Sequence, residues 1–186
     1  MVLMKNSVRE PLVNYPLLKT GLILDINNLY FAIQKKHGQR TLKITEYLKK
    51  LESRNHLLTY KIAYAKPESS DGFVQLLHNL GFETHFWKGP YSVAMALRVA
   101  DIVPNVDSLI LGTNSSEATR IFQWAKSKGK ITKCFAADIP PFFRQSAECI
   151  EIPPEILNAP ATAAKPLELH SNVNSDGTEC TSEGTA

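Results

Sequence analysis

From residue 21 to residue 152 the chain alternates short apolar runs with segments of helical periodicity, and this alternation restricts the folds open to it. Strands are expected at 21–25, 57–65, 82–87, 107–111, 131–136 and 149–152. The first is apolar up to Asp25, as a strand covered on both faces requires. Helices are expected at 27–37, 44–54, 69 or 70–80, 92–103, 115–128 and 140–147. In the second of these, Ile44, Tyr47, Leu48 and Leu51 share one face, with Lys and Glu opposite. Gly38, Gly81 and Gly129 stand where helices stop. Strand–helix repetition of this kind builds an α/β fold: a three-layer α/β/α sandwich with a mainly parallel central sheet. Ligands of such sheets sit beyond the carboxyl ends of the strands, here residues 25–28, 65–69, 88–92, 112–116 and 137–141.

The 186 residues, 44% of them hydrophobic, suit one domain with a full core. No apolar run is long enough to span a bilayer, and residues 1–20 lack the apolar stretch of a secretory signal. A cytoplasmic protein without a membrane partner is therefore expected. Cys134, Cys149 and Cys180 show no metal-ligand spacing and read as buried or free thiols in a reducing compartment. Residues 1–153 hold 20 of the 21 Lys and Arg but 13 of the 18 Asp and Glu, a net +7 against −4 in residues 154–186. A basic body with an acidic tail points to a polyanion partner, although a solvated surface with an inert tail carries the same charges. The expected organisation is an extension at 1–20, a domain at 21–157 and a tail at 158–186. The tail has too few bulky apolar residues to offset the entropy of ordering it, and disorder is expected there.

Three stretches are more specific. The first strand ends Leu22-Ile23-Leu24-Asp25-Ile26-Asn27-Asn28-Leu29-Tyr30. A helix opens near Lys88-Gly89-Pro90-Tyr91-Ser92-Val93-Ala94-Met95-Ala96-Leu97, and a strand ends at Asp107-Ser108-Leu109-Ile110-Leu111-Gly112-Thr113-Asn114-Ser115-Ser116. With Gly129-Lys130 before a later strand, their order and spacing make residues 22–152 resemble the NYN branch of the PIN-like nucleases, including the bacterial LabA-like group. The resemblance implies a PIN-like fold and a ribonuclease whose three or four carboxylates converge on Mg²⁺ or Mn²⁺, which generates the attacking hydroxide. Carried over by position, Asp25 keeps the first acid and is followed by the motif's Asn28. Ser92 stands in place of the second acid, and Asn114 and Ser116 in place of the third and fourth; Arg98 matches a later acid. The resemblance thus implies a degenerate site with no catalytic set, no metal and no cofactor. Mg²⁺ or Mn²⁺ belongs only to the alternative of an active endoribonuclease using Asp25 with Asp101 or Asp71.

Each of these residues has a plain structural role open to it. Asp25 suits backbone N–H groups at the sheet end, and Ser92 suits a helix N-cap. Asn114-x-x-Glu117 has the form of a capping box. Arg98 has Asp101 one turn on and, alternatively, the lone Asp25 as a partner. The histidines at 37, 56, 78, 85 and 170 share no spacing, and neither a Gly-rich phosphate loop nor a Ser-His-Asp elbow is present.

Single-stranded RNA is the expected partner. Phe86-Trp87-Lys88-Gly89-Pro90-Tyr91 puts aromatic rings around a Lys just before a helix N-terminus, chemistry that stacks bases and holds phosphate. Lys35, Lys36, His37 and Arg40 close the first helix, and Lys66 leaves the second strand. The expected RNA surface is Lys35, Lys36, Arg40, Lys66, Trp87, Lys88, Tyr91 and Arg98, with Lys126, Lys128, Lys130 and Lys133 a second basic group. Packing of Trp87 under a helix and a solvated lysine face are the competing explanations. A third function class is a scaffold that binds a protein partner through the tail, or a homo-oligomer.

Overall fold

The computed structural model of the chain describes residues 16–52, 54–87 and 91–158. Lys88, Cys180, His170 and most of the expected extension and tail lie outside the described residues. Six strands form one parallel sheet: β1 Leu18–Asp25, β2 His56–Ala65, β3 Glu83–Phe86, β4 Ser108–Gly112, β5 Ile131–Ala136 and β6 Glu148–Glu151. Their order across the sheet is β3-β2-β1-β4-β5-β6. Among the described residues five helices cover it: α1 Ile26–His37, α2 Ile44–Glu52, α3 Asp71–Asn79, α4 Tyr91–Ile102 and α5 Ala118–Ser127. The expected three-layer α/β/α sandwich is present, and every strand pairing is parallel.

Side chains alternate across a strand, so β1 feeds two cores. Leu22 and Leu24 join Leu29 and Ile33 of α1, Tyr47 and Leu51 of α2, and Leu77 of α3. Ile23 points to the opposite layer, among Met95 and Val99 of α4 and Phe122 and Ala125 of α5. On the first face Tyr47 stacks flat on Phe135 of β5, which ties α2 to the sheet. Gly112 ends β4 where space runs out: a Cβ there would lie 2.5 Å from Leu24 Cδ2 and 2.9 Å from Leu29 Cδ1. Gly129 closes α5 at a φ of 75°, a conformation that L side chains resist.

Several boundaries differ from expectation. β1 starts at Leu18, inside the expected extension, because Lys19 and Thr20 pair with β2 although they are polar. Thr20 is fully buried and its hydroxyl meets His56 Nδ1 at 2.8 Å, so a side-chain hydrogen bond replaces the apolar signal. α5 begins at Ala118, and the expected capping box does not form. Glu117 holds the cap position without a side-chain bond, and Asn114 turns elsewhere. Ser92 lies inside α4 rather than at its cap, since the helix already starts at Tyr91. The expected helix at 140–147 is a single 3₁₀ turn, Pro141–Phe143. There Phe143 is drawn into the second core, and its ring stands edge-on to Phe122. At the other end, Asn158 belongs to the folded body: its backbone N–H and its Nδ2 donate to Thr41 O and Oγ1, both at 2.8 Å.

Candidate nucleic-acid interface

The strand order reverses direction between β1 and β4. From β1 the chain turns to α1 on one face of the sheet; from β4 it turns to α5 on the other. The two carboxyl ends therefore part around a crevice, the usual ligand position in an open α/β sheet. At this crevice Asp25 caps α1, its Oδ1 accepting from Asn28 N at 3.0 Å. Asn28 Oδ1 accepts from Asn114 N at 2.6 Å, and Asn114 Nδ2 donates to Asp138 O at 2.6 Å. Asn27 Nδ2 donates to the Tyr91 hydroxyl at 2.5 Å. One polar knot thus fastens the start of α1, the ends of β4 and β5, and the start of α4. The residues expected as metal-site remnants are brought together here in part, as Asp25, Asn28 and Asn114.

Asp25 is 4% exposed. Burial raises its carboxyl from 3.8 to about 6, against the opposing pull of the Asn28 N–H and the Thr113 side chain. The Tyr91 hydroxyl is likewise pushed up, first by burial and then by the charge of Asp25.

These residues do not fit Mg²⁺ or Mn²⁺. A hard cation of this size takes about six oxygen ligands and is held by one or two carboxylates free to face it, with waters and substrate oxygens completing the shell. Asp25 is turned to a backbone N–H, Asn28 Oδ1 is occupied by Asn114 N, and Asn114 presents its Nδ2 to Asp138 O. Ser92 and Ser116 line a different space, an open groove of about 770 Å³ between α4 and α5 whose walls do not include Asp25. Among the described residues no three His, Cys, Asp or Glu side chains gather at a possible metal position. Arg98 does not pair with Asp25 either. Its guanidinium meets Glu83 at 2.5 Å and Asp101 at 3.8 Å, because its position on α4 faces the edge strand β3 rather than the crevice.

The aromatic and basic residues sort by the end of the sheet they occupy. Trp87 follows β3, its N–H donating to Ala65 O at 3.2 Å, and its ring is 47% exposed instead of packed under a helix. Ala65 is followed by Lys66, whose Nζ sits 5.6 Å from the centre of the Phe31 ring. Phe31 is 59% exposed and stands edge-on to the exposed Tyr30. Phe31 of α1 and Lys66 thus set a ring against a cation beside the end of β2, and Trp87 exposes a second ring at the end of β3. Behind Lys66 a concave groove of about 600 Å³ opens between α1 and α3, with Ile26, Tyr30, Phe73 and Leu76 as apolar walls and Asn27 and Ser69 at the rim.

The other expected contacts are placed differently. Tyr91 is a wall of the crevice, held by Asn27 and tilted against Tyr64, and is not a free stacking ring. Lys36 forms an ion pair with Glu151 of β6, whereas Lys35 is exposed. Arg40 is half-buried in the turn after α1. Lys126, Lys128 and Lys130 lie at the end of α5 and the start of β5, the amino-terminal end of a parallel sheet, so they do not share the rim. Lys133 pairs with Glu148 at 3.3 Å.

Sequence reasoning missed Phe31; Asn27 and Thr113 fell within the expected strand-end ranges 25–28 and 112–116 but were given no role of their own. A signal for Phe31 was present. In α1 the buried stripe is Leu29 and Ile33, which leaves Tyr30 and Phe31 facing outward as two aromatic rings on a solvent face.

No protein-family model matches the chain, and no curated protein matches it. Among solved structures it is similar to a protein of unknown function from Vibrio parahaemolyticus, with a TM-score of 0.69 at 16% identity over 76% of this chain and 96% of that one. That likeness establishes the fold. Among the described residues no helix is long and apolar enough to cross a membrane.

Proposed function

We propose that the protein binds single-stranded RNA in the cytoplasm, on an NYN/PIN-like nuclease scaffold whose metal site has degenerated. The observation that carries this reading is the exposed Phe31 ring with the Lys66 cation against it at the carboxyl edge of the sheet, where the exposed Trp87 also ends the neighbouring strand. Base–aromatic stacking accepts any base, and a cation over an aromatic ring holds phosphate beside it. The basic balance of residues 1–153 favours a polyanion, and the bound-up polar knot at Asp25 disfavours metal-dependent cleavage. Lys35 extends the surface along α1, and Lys88, outside the described residues, follows Trp87 directly in sequence. No glycine stands between Asp25 and Tyr30, so a dinucleotide pyrophosphate has no close backbone approach at this switch point.

A fluorescence-anisotropy titration with labelled unstructured RNA, with and without Mn²⁺, tests the proposal. The expected result is binding in both conditions with intact RNA recovered. Cleavage that requires Mn²⁺ and disappears in Asp25→Asn would replace it with an active ribonuclease, and no binding at low salt would remove RNA altogether.

A further inference from the structure

The solvent side of α4 is a second apolar stripe. Its buried face is Met95, Val99 and Ile102, as a helix on a sheet requires. Its outer face is Val93, Ala96, Leu97 and Ala100, all exposed, with Val93 at 63% and Leu97 at 67%. Arg98 and Asp101, the charged residues of this helix, turn away to Glu83 and to each other. A helix apolar on both faces is ordinarily covered on both. Beside this stripe runs the open groove between α4 and α5, and across it stand Glu117 and Arg120 of α5. They are opposite charges three residues apart on one turn, yet neither makes an ion pair among the described residues.

We infer that a second copy of this chain docks on the α4–α5 face, with the two grooves related by a two-fold axis. α4 follows β3 and α5 follows β4, parallel strands, onto the same face, so the two helices run parallel to each other. One groove is walled by Ser92, Val93, Ala96 and Leu97 on the α4 side and by Ser116, Glu117, Arg120 and Ile121 on the α5 side, so these two stretches run side by side. The middles of the two stretches, between Val93 and Leu97 and between Glu117 and Arg120, therefore lie at about the same level along the groove. One axis perpendicular to the helices and through that level satisfies both pairs at once. It lays α4 antiparallel on its copy, with Val93 against the other copy's Leu97. It also lays α5 antiparallel on its copy, with Glu117 against the other copy's Arg120, twice over. Isologous contacts need this kind of self-complementarity, in which one patch carries both members of each pair. The small Ala96 and Ala100 let the α4 backbones approach closely.

Sedimentation equilibrium on the full chain across the micromolar range tests the inference. The expected result is a monomer–dimer equilibrium. Glu117→Arg and Arg120→Glu, each placing two like-charge pairs in the interface, should weaken the dimer by about tenfold or more. The double variant should return it to wild-type strength. Leu97→Glu should leave a monomer with an unchanged circular dichroism spectrum, since the residue does not touch the core. A monomer throughout the range, or an assembly larger than a dimer, overturns the inference. So does a dimer indifferent to Leu97→Glu, or charge reversals that do not compensate each other.

Discussion

Asp25→Asn isolates the buried carboxyl at the centre of the crevice. The substitution keeps an oxygen for the Asn28 N–H, and Asn caps helices about as well as Asp, so the helix cap survives. What it removes is the titration. The carboxyl moves from 3.8 in the unfolded chain to about 6 in the fold, which means the native state holds its proton more tightly. The sign follows from linkage: stability from this group is fully present below 3.8 and is lost as pH rises through 6. A shift of this size corresponds to about 3 kcal/mol in full, of which roughly half separates about pH 5 from about pH 7.5. Urea denaturation of wild type and Asp25→Asn at those two pH values measures it. The wild type should gain that difference relative to the variant on going to the lower pH. Other groups titrate alike in both proteins and cancel. A gap between the two proteins that does not change with pH, or that widens against the wild type in acid, would refute the desolvated carboxyl.

Three further outcomes are expected. Phe31→Ala and Trp87→Ala should each weaken RNA binding by about 1–3 kcal/mol in anisotropy titrations, the cost of removing one stacked base, with log affinity falling steeply against log salt. Arg98→Ala should leave RNA affinity unchanged, because its guanidinium is spent on Glu83 and Asp101; its stability cost in denaturant melts should stay below about 1 kcal/mol, since Glu83 and Asp101 are exposed. Gly112→Ala forces a methyl to within 2.5 Å of Leu24 Cδ2 in a close-packed layer, and a loss of about 1–3 kcal/mol in the same melts is the expected reading.

The layered fold was legible because it rests on local periodicity. Apolar runs of strand length, the Ile44–Tyr47–Leu48–Leu51 stripe of α2 and the glycines after α1, α3 and α5 each act within a few residues, and the backbone follows them. The boundaries that went astray lie where a tertiary contact overrides that signal. Thr20 enters β1 through a hydrogen bond to His56, thirty-six positions away. Pro141–Phe143 stays a single turn because Phe143 packs on Phe122 of another layer.

The site divided in the same way. The sequence by itself determined that Asp25 would end the first strand, that Ser92, Asn114 and Ser116 bring no carboxylate, and that Trp87 and Lys66 would leave strands at their carboxyl ends. Only the tertiary structure decided what those groups do. Strand order put β1 beside β4 and so joined Asn28 to Asn114, eighty-six residues apart. The rotation of α4 sent Arg98 to Glu83 rather than to Asp25. The direction of α5 and β5 placed Lys126, Lys128 and Lys130 at the far end of the sheet. Phe31 met Lys66 only because α1 starts beside the end of β2. Charge and ring chemistry are properties of a residue, but a binding surface is a property of distances, and those are fixed by which strands pair and how the helices turn upon them.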